Sequence, residues 1–159
     1  MKKIIAISLI LSAMLTMLVG CGLGREAGGS STSKAEEFYE LVSATQELLD
    51  DYADDIYQCW YDYIYNKKYS SVDAAILAAY TKNVSNYKTI EANNETIKEL
   101  YKEAKDGDLS AELKAVMQAY NEYYSFVMEV SGSFNSYSAG KENNKKALSN
   151  ALKNLQFEL

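Results

Sequence analysis

The chain has no histidine and no proline, and only two cysteines, one tryptophan and eight glycines in 159 residues. Each shortage removes a class of answer. Without histidine there is no Ser-His or Cys-His nucleophile pair and no imidazole to hold a metal. No Gly-rich phosphate loop stands in their place. Paired carboxylates can cut glycans, but they need a cleft that simple helices rarely supply. Without proline, and with only Gly107, Gly132 and Gly140 after Gly29, few residues break the chain into turns. Long helices are the natural consequence. Basic residues number 16 and acidic residues 22, a net charge of −6. That balance disfavours nucleic acid, whose binding rests on Lys and Arg neutralising phosphates. The expectation is a non-enzymatic protein with no cofactor, no bound metal and no nucleic-acid partner.

What the chain does have begins with MKKIIAISLILSAMLTMLVGCG. Lys2 and Lys3 form a positive start, and Ile4 to Val19 follow without a charge, with only Ser8, Ser12 and Thr16 polar. The run is shorter than the roughly 20 apolar residues that span a bilayer. Positive end, apolar core and small residues at the cut are the layout of a secretory signal. Its last four residues, Leu18-Val19-Gly20-Cys21, resemble the lipobox of bacterial lipoproteins. An ordinary signal ends in an A-x-A-like site, and none precedes Cys21.

The resemblance covers only the first 22 residues or so, and it implies a definite chemistry. The Cys21 thiol receives a diacylglycerol by thioether linkage. A dedicated peptidase cuts just before it, where the small Gly20 fits, and Cys21 becomes the first residue of the mature protein. Gly22 stands where an aspartate often signals inner-membrane retention in Gram-negative lipoproteins. The content of Lys, Asn, Ile and Tyr, all with AT-rich codons, weights the source towards a low-GC Gram-positive bacterium. The expected location is the outer, extracytoplasmic face of the cell membrane, held through a lipid on Cys21.

Three segments follow. Residues 1–20 are the signal, residues 21–33 the lipidated cysteine with a Gly/Ser-rich tether, and residues 34–159 the helical domain. Loss of Lys2 and Lys3 with the signal leaves 14 basic against 22 acidic residues, a net charge of −8. Such a surface is repelled by anionic headgroups, so the domain stands off the membrane. With Cys21 used by lipid, Cys59 is alone and no internal disulfide can form.

The helical domain reads as an all-α, up-down bundle of four helices. Helix one is expected over Lys34 to Lys67, with Ser33 as N-cap and a stripe of Phe38, Leu41, Val42, Leu48, Leu49, Tyr52, Ile56, Trp60 and Ile64. Helix two starts after Ser71 and ends by Asp106-Gly107. It is either one helix bent near Asn93 and Asn94 or two helices joined there. Helix three starts after Ser110 and carries Leu113, Val116, Met117, Tyr120, Tyr123, Tyr124, Val127, Val130, Phe134 and Tyr137. Gly140 reads as its stop. Helix four, shorter, runs from Lys141 to Phe157. Short links between them make neighbours antiparallel.

Two features could carry function. Fourteen tyrosines is a high count, and IYQCWYDYIYNKKYS concentrates five of them. Tyr57, Tyr61 and Tyr65 recur every four residues and share a helix face, with Trp60 on an adjoining strip. Such a face can bind a peptide, a sugar or a protein, or it can simply be the edge of the core. Asp50, Asp51, Asp54 and Asp55 invite a cation, but they lack the turn glycine and ligand spacing of an EF-hand loop and read as a solvated acidic face. The resulting expectation is a non-catalytic binding module whose partner is an envelope protein or wall component. Two rivals are a small-molecule sensor or carrier using the bundle interior, and a prophage-encoded lipoprotein that excludes later phage.

Overall fold

A computed structural model describes residues 31–159. The signal, the lipobox and the first ten residues assigned to the tether lie outside the described residues. Those described are all-helical: α1 (Ser31–Asn66), α2 (Val72–Lys82), α3 (Val84–Ala104), α4 (Ser110–Met128) and α5 (Phe134–Glu158). The class is as expected, but five helices are present where four were expected, and three boundaries move.

The first is at the start. Ser31, the first described residue, is already helical, so Ser33 lies within α1 and is not its N-cap. The second break falls at Asn83, ten residues before the expected bend. Asn83 has left the helix (φ −112°, ψ 17°), and its side-chain amide donates to the Ala79 carbonyl at 3.0 Å and to Asp55 of α1 at 2.7 Å. An asparagine amide that bonds backbone carbonyls competes with the helix itself. Asn93 and Asn94 stay helical because the neighbouring helix occupies one of them: Asn93 donates to the Thr45 hydroxyl at 2.9 Å.

The third correction exchanges the roles of two glycines. α4 stops at Met128, and the chain turns at Gly132, whose φ of +85° suits only glycine. Ser133 then caps α5, its hydroxyl and that of Ser136 each accepting the other's backbone N–H. Gly140, expected to stop a helix, sits inside α5. It is a packing notch: a Cβ there would lie 2.6 Å from Phe126 Cε2. A mid-helix glycine normally costs about 1 kcal/mol relative to alanine, so Gly140→Ala should ordinarily stabilise. Here the Phe126 ring is stacked on Tyr137, with centroids 4.9 Å apart and 19° between planes. Making room for a methyl group breaks that stack. We expect Gly140→Ala to lower stability by about 1–2 kcal/mol in urea unfolding, overpacking outweighing propensity. A gain in stability would show that the ring yields freely.

α1, about 54 Å long at 1.5 Å per residue, packs against all four other helices. Its pairs with α3 run Phe38–Tyr101, Thr45–Asn93 and Tyr52–Tyr87, so the two helices are antiparallel. Its pairs with α5 run Gln46–Ser149, Asp50–Lys145 and Asp54–Lys141, antiparallel again. The core between them is apolar, with Phe38, Val42, Leu49, Ile56, Ile90, Ile97, Leu113 and Leu148 wholly buried. Each such side chain contributes about 1.5–3 kcal/mol on burial. Packing, more than intrinsic propensity, holds helices of this kind.

Candidate functional site

The tyrosine-rich stretch occupies the last three turns of α1, at its C-terminal end. Tyr57 is half-buried, Tyr61 is 37% exposed and Tyr65 is 58% exposed, whereas Trp60 is buried at 5%. Trp60 therefore lies beneath the face and not on it. The residue that assembles the group is Phe134, the first helical residue of α5. Its ring stacks on Tyr57 (5.1 Å, 26°) and approaches Trp60, Tyr61 and Tyr65 at 6.1, 6.3 and 6.3 Å. Tyr61 and Tyr65 lie 4.5 Å apart. Trp60 reaches Tyr137 one turn further along α5 at 5.7 Å, and the Lys141 ammonium sits 5.0 Å above the Tyr57 ring. The result is an aromatic shelf backed by core rings. Sequence spacing places Phe134 on the helix-three stripe, whereas it is the first residue of α5. The signal for its true role was local: Gly132-Ser133 just before it forms a turn and a cap.

A polar network fixes the helix end that carries the shelf. Asp62 accepts from Asn66, Lys68 and Gln58 at 2.7, 3.0 and 3.2 Å. The Asn66 amide first, then Lys68, holds its carboxyl below the usual carboxylate value. Lys67 turns the chain out of α1 at φ +54°.

The acidic row is solvated at Asp51 and Asp54, as expected, and half-buried at Asp50 and Asp55, and it has a further use that spacing did not show. Asp50 accepts from the Tyr123 hydroxyl at 2.7 Å and from Lys145 at 2.9 Å. Asp54 pairs with Lys141, and Asp55 pairs with Lys82 and accepts from Asn83. Three of the four aspartates thus fasten α1 to its neighbours. Among the described residues no group of three or more His, Cys, Asp or Glu side chains is placed to hold a metal ion. Cys59 is buried, with the Tyr69 hydroxyl 3.5 Å from its sulfur. No helix among the described residues is long and apolar enough to cross a membrane.

The exposed faces of Tyr61 and Tyr65 can stack on a flat apolar surface, such as a sugar ring or a peptide side chain, and their hydroxyls can bond its polar rim. No protein-family model matches the chain, and neither a curated protein nor a solved structure matches it.

Proposed function

We propose that the protein is a lipoprotein of the bacterial cell envelope, anchored by a lipid on Cys21 at the extracytoplasmic face, that acts by binding and not by catalysis. Its partner is another envelope protein or a wall component. The domain is best read as an up-down bundle in which α2 and α3 together form the second of four limbs; the antiparallel pairings of α3 and α5 with α1 support this. The observation that carries the functional reading is the position of the shelf. Tyr61 lies 30 residues along α1 from Ser31, or about 45 Å at 1.5 Å per residue. The tether leads into one end of α1 and the exposed rings stand at the other. A domain held at its foot thereby presents its most adhesive side chains farthest from the bilayer.

The test is in-cell cross-linking of the full-length protein against Tyr61→Ser/Tyr65→Ser. Both rings are exposed enough that helical content should be unchanged, and each buried anchor ring of an interface typically carries 1 kcal/mol or more. We expect cross-linking to its envelope partner to fall at least about tenfold. Equal cross-linking by the folded double variant would remove the shelf from the interaction.

A further inference from the structure

A second aromatic group lies on the flank of the bundle and shares no residue with the shelf. α1, α2, the start of α3 and the end of α4 enclose an open groove of about 880 Å³. Tyr52, Tyr80 and Tyr87 converge on it from three helices. The Tyr52 and Tyr87 rings meet at 6.0 Å and 82°, and the Tyr80 and Tyr87 rings at 5.1 Å and 81°. Both contacts are edge-on. Tyr80 and Tyr87 are half-buried and present part of their rings to the groove, while Tyr52, 4% exposed, forms its floor. The charged residues lining the groove are Asp73 and Glu129, and no basic side chain lines it. Leu77, 62% exposed, and Met128 add apolar wall.

The chemistry selects an occupant. Ring faces are electronegative, and a cation within about 6 Å of a centroid is attracted to them. Two carboxylates add to that attraction, and nothing in the lining opposes it. Burial first, then the nearby Tyr87 and Tyr80, hold the Tyr52 phenol up at about 12, and burial also raises Tyr87. A small, strongly hydrated metal ion would find too few oxygen ligands here. A weakly hydrated cation with an apolar surface would use every part of the lining.

We propose that this groove binds a small organic cation with a quaternary ammonium head. The inference does not depend on the shelf or on the lipid anchor.

Choline is the probe, titrated calorimetrically into the full chain. Saturable binding is expected. The uncharged isostere, with a quaternary carbon in place of the nitrogen, should bind at least about tenfold more weakly, because cation–π attraction and the carboxylates are lost while apolar burial is kept. Tyr80→Leu, at a half-buried position, should weaken choline about tenfold. Asp73→Asn/Glu129→Gln should weaken it about threefold or more and flatten its salt dependence. Three outcomes would each overturn the proposal. These are no saturable binding up to about 10 mM choline, an isostere that binds as well as choline, and unchanged affinity in a Tyr80→Leu protein of normal helical content.

Discussion

Alkali is expected to unfold this protein in one cooperative step, with tyrosine ionisation and loss of helix occurring together above about pH 10. The cause is the number of phenols in the core. Tyr52, Tyr120, Tyr123 and Tyr137 are all at most 4% exposed. Burial is the first cause that raises each above the ordinary value of 10.0: Tyr52 to about 12, the other three further. For Tyr123, the hydrogen bond to Asp50 adds to burial. A phenol raised in the folded state favours folding while it stays protonated. Its contribution is intact below the unfolded value of 10.0. It is lost as pH rises from there towards the folded value, because only the unfolded chain can release the proton. Each group loses about 1.4 kcal/mol per pH unit in that window. At about pH 11 the four together take away about 5–6 kcal/mol, the lower end of the stability of single domains, and the loss grows as pH rises further. Ultraviolet absorbance of tyrosinate and far-UV circular dichroism, followed together against pH, check this. The core tyrosines should ionise only as helix is lost. A smooth titration of all fourteen with helix retained would show that these four rings reach water. Tyr120→Phe offers a control. Its buried hydroxyl has no hydrogen-bond partner, so removal costs little at neutral pH and should lessen the alkaline loss by about a quarter.

The same tyrosines show what sequence could and could not disclose. Tyr120 and Tyr123 were placed correctly on the helix-three stripe, because helical spacing is visible in the order of residues; Tyr137, expected on that same stripe, belongs to α5 instead. That Tyr123 would reach Asp50 was not visible, since the bond joins residues 73 apart. The helix class followed from missing proline and from periodicity, both local properties. The breaks did not. Asn83 and Asn93 are alike in sequence, and what separates them is the partner each finds on α1: Asp55 for one, Thr45 for the other. Gly132 and Gly140 are equally alike, and the distinction lies in the Phe126 ring beside the second. For the shelf, the spacing of Tyr57, Tyr61 and Tyr65 located the face. Phe134 belongs to it only because α5 returns antiparallel along α1. The groove was illegible for the same reason: Tyr52, Tyr80 and Tyr87 lie on three helices, and each reads as the edge of its own stripe.

Removing the Cys21 sulfur is expected to abolish lipid attachment completely and to leave a chain 20 residues longer than the mature form. A thioether needs a thiol, and the only other one, Cys59, is buried in α1 beside Tyr69. It cannot substitute. Each acyl CH₂ buried in a bilayer contributes about 0.8 kcal/mol, and two chains are enough for stable anchoring. Residues 22–159 offer nothing comparable: their net charge of −8 is repelled by anionic headgroups. Metabolic labelling with a fatty-acid analogue and intact mass measurement read both consequences for Cys21→Ala. Fractionation of that variant alone is a weaker test, because an uncleaved Ile4–Val19 run can itself hold the chain to the membrane. Replacing residues 1–21 with a signal that ends in an A-x-A site separates the two effects. The domain should then be released into the surrounding fluid. Label on the Cys21→Ala chain would refute the thioether. A released-signal variant that still sediments with membrane would show that the helical domain carries a membrane contact of its own, and the orientation with the shelf farthest from the bilayer would no longer follow.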